Sequence, residues 1–577
     1  MLAANARNLR SILSGAIVRL AGFAVICALI GMFVQMVMVA YPILAPSALT
    51  PITTPFEDSL PRQKEETRSF DTTRSVSISV AGDWSLEGVP GEPWFWVNSL
   101  TGFRIENTDL PASWTTASAV GSNRGVAIAT GDRMISHHHF LASTLEGDAP
   151  SSALVEQVAL PLASVRMAGH PRLAVVAVLS RPGSVTIVDF RNPEGTLTHP
   201  ISDDASTLFW ESSAQLNVVG ESHTDLFQFT TTDIGGAWSR LINPVHYEGY
   251  AAPSYLWLPL PASEASEAKY SIAPLLFGTL KAASLALLVA VPLSVGAAIY
   301  VGFFMSAVQR SRVRPAIDML TAFPTVVLGA IGLFWIAPIF ETVLAALMGV
   351  VFLFPVLTVL GVFIMRSAGI RLVRLDALDD WPLKLIPLVS LVLVVSAWTG
   401  VSVADSLPGG SLYGYLRNHG ITVVYFNSIL VGLMLGLAIT PTIFSVAEEA
   451  IHSVPKNLAS GALALGSTPW QSYRDIVLPL ALPGMIAAVM IGFGRAAGET
   501  MILLMLSGNT GIIDMSVFEG LRSVSASLAL ELPEAPRDSS HYYVLFVMGL
   551  MLFAVTFAVN TLAELIKDSV KAKTRGV

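Results

Sequence analysis

Apolar runs of about 20 residues or more, the length that crosses a bilayer, recur along this chain and constrain its fold more than any other feature. They are Leu20–Leu44, Ile272–Phe304, Asp318–Phe340, Thr342–Met365, Leu385–Ala404, Val423–Val446, Leu480–Leu506 and Tyr542–Leu562. These predict an α-helical polytopic membrane protein with about eight transmembrane helices. Composition agrees: 53% of the 577 residues are hydrophobic and 13% charged, at a mean hydropathy of +0.61. That is too apolar for an ordinary water-soluble surface. A net charge of −8 argues against nucleic acid as a partner. Cys27 is the single cysteine, so neither an intramolecular disulfide nor a cysteine metal cluster can form.

The basic residues set the direction of the runs. Arg7, Arg10 and Arg19 make residues 1–19 a cytoplasmic tail and 20–44 an anchor with its N-terminus inside. A cleaved signal peptide fits less well, because its apolar core is about 7–15 residues and a small-residue cleavage site should follow promptly. Arg310, Arg312 and Arg314, then Arg366, Arg371, Arg374 and Lys384, and finally Lys567, Lys571, Lys573 and Arg575 mark later inside segments. A tight turn is expected near Glu341, and residues 447–479 fall in the cytoplasm.

Residues 45–270 read differently. Pro, Gly, Ser and Thr are spread throughout, and short alternating or β-branched runs (75–80, 125–129, 173–179, 184–190) are separated by turn formers such as Arg181-Pro182-Gly183. A large all-β extracytoplasmic domain, inserted after the first helix, is expected. Trp84, Trp94, Trp96, Trp114 and Trp210 give it a propeller-like flavour without a clear repeat period. His137-His138-His139 alternate sides on a strand and cannot all face one ion, so a surface loop or strand is expected there and no metal site.

The stretch 447–500 joins a polar loop to a membrane helix. Val454-Pro455 breaks the preceding helix, a short helix follows to about Leu465, and Gly466 ends it. Ala459, Ser460, Gly461, Ala462 and Ala464 leave a face that another protein can approach closely. A second short helix runs from Thr468 to Val477 and is stopped by Leu478-Pro479. The loop is a knob, not a cleft.

Ionisable residues inside the runs need a reason, since charge in hydrocarbon is costly unless paired or wet. Arg495 and Glu499, spaced i,i+4 on the helix expected over 480–506, can reach each other. They form either a packing ion pair or an anion station in which Arg495 offers a planar fork to an oxyanion and Glu499 holds it when the site is empty. Gly494 and Gly498 thin the helix around them. Lys281 either snorkels to the outer interface or faces the path. Ser507-Gly508-Asn509-Thr510 is a plain loop or a hydrogen-bonding lip in which Asn509 and Thr510 face the path. Pro324 and Pro441, each beside hydroxyl residues, are expected to kink their helices.

Ser460-Gly461-Ala462, Gly466, Ile476 and Leu478-Pro479 resemble the cytoplasmic loop of ABC importer permeases that docks into the ATPase. Ser460 stands where many such permeases carry glutamate, which removes a charge contact there. GFGRAAGETMILLMLSGNT, residues 492–510, is similar to the PstC-type permease subunit of phosphate-specific importers, and the resemblance covers about 272 to the C-terminus. It implies an ABC permease transmembrane domain over 271–577, with Arg495 and Glu499 at the transport-path positions. It also implies that 342–404 is an inserted hairpin, since the family pattern has six spans. The implied partners are a second homologous permease (PstA-type), ATPase subunits (PstB-type), a periplasmic phosphate-binding protein (PstS-type), phosphate and the lipid bilayer of the bacterial inner membrane. The chain has no G-x-x-x-x-G-K-[ST] phosphate-binding loop, so ATP is expected to be used by the partner and no cofactor by this chain. No catalytic elbow or metalloprotease motif points to an enzyme. Another oxyanion as cargo, or a phosphate-status sensor built on the permease fold, stays open.

Overall fold

The computed structural model describes all residues except 1, 53–75, 80–83, 91, 122, 123, 132, 142–149, 182, 222, 223, 248, 249, 261–266, 368–380 and 575–577. Pro182 of the expected turn, and Arg371, Arg374 and Arg575 of the expected inside clusters, lie outside the described residues. The chain divides into two compact units, Met1–Ala273 with Ala535–Val547, and Pro274–Glu534 with Met548–Val577.

In the first unit, helix α1 (Leu2–Ala40) includes the arginine-bearing segment expected as a tail, and a 3-10 turn (Tyr41–Leu44) follows it. Sixteen of the described strands then build four four-stranded antiparallel sheets. Strands β2 (Val76–Ser79), β3 (Trp84–Gly88), β4 (Trp94–Asn98) and β5 (Arg104–Asn107) form one. Strands β6 (Thr116–Val120), β7 (Gly125–Ala129), β8 (Met134–Leu141) and β9 (Ser151–Ala159) form the next. The third holds β10 (Ser164–Gly169), β11 (Val175–Ser180), β12 (Ser184–Asp189) and β13 (Leu197–Pro200). The fourth holds β14 (Ala205–Trp210), β15 (Gln215–Gly220) and β16 (Thr224–Thr230), and is completed by β1 (Ala48–Pro51) pairing antiparallel to β16. A short helix α2 (Ser239–Ile242) and a two-stranded ribbon, β17 (Trp257–Leu258) with β18 (Lys269–Tyr270), follow.

Alternation along the strands explains how successive sheets stack. Ile78, Leu86, Trp94 and Trp96 of the first sheet meet Ala117, Val126, Ile128 and Phe140 of the second. Ala127 and Ile135 on the second sheet's other face meet Val176, Val178 and Val188. Val175, Ala177 and Ile187 meet Leu208, Trp210, Leu216 and Phe227 of the fourth. The tryptophans seen in the sequence therefore fill cores between sheets. On the first sheet's remaining face Arg104 lies over the Phe95 ring and beside Glu87, a polar covering suited to solvent.

This stacking corrects the expectation for His137-His138-His139. They lie on β8, and all three are buried. The reason is that the second sheet is covered on both faces, so neither is a surface. His137 stacks on Phe190 and meets His139 edge-on, their ring centroids 4.7 Å apart, and His139 meets His246 at 5.6 Å. Among the described residues no three His, Cys, Asp or Glu side chains converge as metal ligands. Burial pushes His137 well below the usual imidazole value, His138 to about 4 and His139 to about 3, and burial also lowers His170 to about 4. A pKa depressed by folding means that protons bind the unfolded chain preferentially. Stability is then whole above about pH 6.5 and is lost as the pH falls toward 4 and 3, by about 1.4 kcal/mol per pH unit for each histidine. Thermal melts of the full chain in detergent, followed by tryptophan fluorescence, should show the β unit unfolding much earlier at pH 4.5 than at pH 7.5. His138→Gln should flatten that dependence.

In the second unit, α3 (Ala273–Ile299) runs into a π-turn ending at Phe304, and α4 (Ala307–Leu320) is a polar helix with no buried residue. Pro324 caps α5 (Thr325–Ile331), as expected of a break there. A π-turn (Gly332–Ile336) and a 3-10 turn (Ala337–Ile339) lead directly into α6 (Phe340–Ser367), every junction residue having helical dihedrals. The tight turn expected near Glu341 is absent, and Glu341 Oε1 instead accepts the backbone N–H of Tyr413 at 2.8 Å. Helix α7 (Trp381–Asp405) packs on α6 where Gly349 and Gly400 meet, since a side chain on either would strike backbone of the other helix at 2.3–2.4 Å. Then come α8 (Leu412–Asn418), α9 (Ser428–His452), α10 (Lys456–Ala464), α11 (Pro469–Ser472), α12 (Leu478–Gly498), α13 (Met501–Leu506) and α14 (Val524–Glu531), and the last helix, α15 (Ser540–Thr574), belongs to the first unit up to Val547 and to the second from Met548.

Among the described residues six helical runs are long and apolar enough to cross a membrane: Arg19–Leu44, Ala273–Phe304, Thr325–Gly361, Ser428–His452, Pro469–Gly498 and Ser540–Ile566. Val389–Asp405 is a shorter apolar helix. The count differs from the sequence estimate because 325–361 is one run where two were expected, and the run expected over 385–404 appears among the described residues only as the shorter helix 389–405. Small residues of α3 (Ala282, Ala283, Ala286, Ala290) let α9 and α12 pack closely around Leu435, Ile439, Ile443, Met485 and Ala488.

Candidate transport path and coupling loop

After His452 the chain turns at Pro455 into α10, and Gly466 adopts φ +92°, a conformation that L side chains rarely take. Thr468 and Gln471 form a capping box, the Thr468 N–H donating to Gln471 Oε1 at 2.8 Å and the Gln471 N–H to Thr468 Oγ1 at 3.3 Å. The expected stop at Leu478-Pro479 is absent. A π-turn (Tyr473–Val477) leads straight into α12, because proline in a first helical turn needs no N–H partner. Ile476 is half-buried in that turn, Leu478 half-buried and Pro479 exposed.

No residue of α10 is buried. Ser460 and Gly461 are exposed, Ala462 half-buried, and both Gly461 and Gly466 border open space. Leu458, Leu463 and Trp470 are exposed too, and Leu465 is 92% exposed. Buried Tyr473 anchors the loop against Phe303 and Phe304, at ring separations of 5.5 and 6.0 Å. Between the loop and 302–310 lies a groove of about 380 Å³, lined among others by Phe303, Phe304, Arg310, His452, Lys456 and Leu463.

Arg495 lies half-buried near the C-terminal end of α12, and its Nη1 donates to Thr442 Oγ1 of α9. Among the described residues no ion pair joins it to Glu499, contrary to the i,i+4 expectation. The helix ends at Gly498, and Glu499 is extended (φ −68°, ψ 132°), so the two no longer share a helical face. Ser525 Oγ donates to the Glu499 carbonyl at 2.7 Å, fixing the break before α13. The thin helix at Gly494 does admit a neighbour, since a side chain there would sit 2.6 Å from Asn560 Oδ1.

Lys281 donates through Nζ to the carbonyls of Asp514 (2.9 Å) and Ser516 (2.7 Å), which pins the 507–523 loop to α3. Asn509 takes φ +50° and its N–H donates to Ser507 Oγ at 3.3 Å, while Thr510 Oγ1 donates to the Gly508 carbonyl at 3.4 Å. These are local turn contacts, and α13 separates them from Arg495 along the chain. Pro441 does not interrupt α9.

Sequence reading missed the partners along α9. Besides Thr442 these are Ser445, whose Oγ donates to Asp318 Oδ1 at 2.6 Å, and the buried Glu448, ion-paired to Arg310 and Arg314. Polar residues at 442, 445, 448 and 452 in an otherwise apolar helix were the available signal, because that spacing keeps them on one face.

Residues 383–572 match the sequence profile of the binding-protein-dependent transport system inner membrane component family. That stretch is a permease domain of this family. Curated relatives agree. The phosphate transport system permease protein PstC of Mesorhizobium japonicum is 26% identical over 53% of this chain and 75% of its own length. PstC of Haemophilus influenzae is 29% identical over 51% of this chain and 75% of its own length. A probable ABC transporter permease protein of Bacillus subtilis is 26% identical over 51% and 70%. A solved β-propeller domain from Myceliophteria thermophila shares 17% identity over 31% of this chain and 59% of its own, at a TM-score of 0.25, too slight a likeness to describe the fold. With six helical runs long and apolar enough to cross a bilayer, the chain is a multi-pass membrane protein, and 447–479 and Arg495 both fall inside the matched stretch.

Proposed function

We propose that this permease is a subunit of an ATP-driven phosphate importer of the bacterial inner membrane, its N-terminus in the cytoplasm. It forms the translocation path with a second, PstA-type permease and receives phosphate from a PstS-type binding protein. PstB-type ATPases use the ATP, and this chain binds no cofactor. The observation that carries the reading is Arg495: a guanidinium within an apolar helix whose partner is a neutral hydroxyl. Among the described residues no carboxylate pairs with it, and a planar fork of N–H donors suits a tetrahedral oxyanion. The similarity to PstC proteins supports phosphate as that anion.

Leu458, Leu463, Leu465 and Trp470 support the coupling assignment, since apolar side chains exposed together on a polar loop mark a surface that a partner covers. Ser460, Gly461, Ala462 and Gly466 give the close approach, and Ile476, Leu478 and Pro479 tie the knob to α12, so a push on the loop reaches the helix that carries Arg495. Leu465→Glu should leave the fold intact, as the side chain touches little, and should weaken ATPase capture by about tenfold or more, the scale of losing a buried anchor. Co-purification of the ATPase with the variant measures it.

The deciding experiment is ATP-dependent uptake of labelled phosphate into vesicles holding the assembled complex, with sulfate and molybdate as competitors. Uptake blocked by unlabelled phosphate alone supports the reading. Uptake of sulfate or molybdate in its place overturns the substrate assignment.

A further inference from the structure

Glu448 is fully buried one turn before α9 gives way to the coupling loop. Its carboxylate is ion-paired to Arg310 and, at 3.3 Å, to Arg314 Nη1, both on α4. On one side of this pair, Ser445 Oγ donates to Asp318 Oδ1 at 2.6 Å, and Asp318 lies 3.8 Å from Arg314 Nε. On the other, Arg310 Nη1 lies 2.9 Å from His452 Nε2. Residues 445, 448 and 452 are spaced to share one face of α9, so the three contacts form successive rungs between α9 and α4.

Two further observations give the rungs a purpose. Helix α4 buries none of its residues fully and packs only Val313 and Ile317, half-buried, against the core, so the charged rungs add substantially to its hold on α9. The groove lined by Phe304, Arg310, His452, Lys456 and Leu463 lies between α10 and the 302–310 segment. Besides the Tyr473 contact with Phe303 and Phe304 just ahead of α4, the connection from the loop to α4 itself runs through the end of α9, where the carboxylate sits. A fully buried carboxylate is costly unless paired, so the three groups hold together or separate as a unit.

We propose that Glu448 is a positioning residue, with Ser445 and His452 beside it, and that it makes α4 move with the coupling loop. This rests on the reading of 447–479 as the ATPase-docking segment. A displacement of α10 then carries the α9 end and α4 as one body, and the helices around Arg495 change position together with the loop. Without the carboxylate, α4 is released and the ATPase stroke is lost on the loop alone.

The test uses the assembled complex in vesicles with its ATPases. The lone cysteine, Cys27, is replaced by serine, and spin labels are placed at Ala316→Cys on α4 and Asn457→Cys on α10, both exposed. With Glu448 present, ATP-driven closure should move the label pair while keeping one narrow separation. Glu448→Gln should broaden that separation and lower phosphate taken up per ATP hydrolysed about fivefold or more, with ATP hydrolysis and assembly retained. Ser445→Ala, which removes one rung and is small enough to fold, should shift both readouts the same way to a lesser degree, and it decides the matter if Glu448→Gln fails to assemble. Equal label distributions in the wild type and the variants, or an uptake deficit that simply follows the amount of assembled complex, overturns the proposal. If the labels move together as described while no phosphate enters, the substrate reading fails and the clamp stands.

Discussion

Arg495→Ala is expected to reduce ATP-dependent phosphate uptake by about a hundredfold while leaving the complex assembled. Charge-assisted hydrogen bonds are worth about 1.5–3 kcal/mol each, and the upper figure alone corresponds to that factor. Assembly should survive because the partner left behind, Thr442, is a hydroxyl that can turn to another acceptor on its own helix, as Thr440 does in donating to the Gly436 carbonyl at 2.8 Å. Arg495→Lys keeps the charge but loses the fork, and should recover only part of the activity. Glu499→Gln should cost far less than Arg495→Ala, since the extended backbone at 499 takes it off the arginine's helical face. Labelled-phosphate uptake, normalised to assembled complex, ranks the three. Equal uptake by the wild type and Arg495→Ala would reduce the arginine to packing.

The second large effect concerns the β unit. Arg191 is buried and donates from Nε to Asp189 Oδ1 (2.8 Å) and from Nη2 to Asp189 Oδ2 (2.7 Å). It also donates to the Thr232 carbonyl (2.8 Å) and to Thr231 Oγ1 (3.0 Å), while Ser47 Oγ donates to Asp189 Oδ2 at 3.2 Å. The pair therefore joins the end of β12 to the segments flanking β1 and β16. Asp189→Ala leaves a buried guanidinium without its counter-charge and should destabilise the unit by about 3–5 kcal/mol. Replacing both residues by apolar ones of similar volume, Asp189→Leu with Arg191→Met, should cost much less. Chemical denaturation of the full chain in detergent, read by tryptophan fluorescence, separates these outcomes.

Much of the membrane part was legible in the sequence because its signals are local. Apolar length, a proline at a helix start and a glycine after a helix are each read within a few residues, and α10 and the bend at Gly466 lie where those signals put them, whereas α9 spans 428–452 in place of 423–446 and α12 ends at Gly498 well short of 506. What was not legible depends on distant neighbours. That Glu499 leaves the helix depends on Ser525 taking its carbonyl, 26 residues away. That Lys281 is occupied by loop carbonyls depends on residues more than 230 positions further on. The histidine run looked like a surface because alternation describes the two faces of one strand and says nothing of a second sheet covering the other face. Short strands such as Gly125–Ala129 were placed to the residue, whereas the stacking of sheets that buries them was not.

Strand β1 pairs with β16 so that Ala48 lies opposite Thr230. The fourth sheet lacks an edge until a strand made some 180 residues earlier returns to it. That early strand follows shortly after the first membrane helix and has no partner until β16 has been made. Anything that cut the chain just after Pro51 would leave the later strands continuous with the later spans yet missing one strand of their own sheet. The segment that carries the first helix and β1 is therefore tied to the β unit by fold as well as by sequence, and loss of the two together would open a sheet edge to whatever extended chain lay nearest.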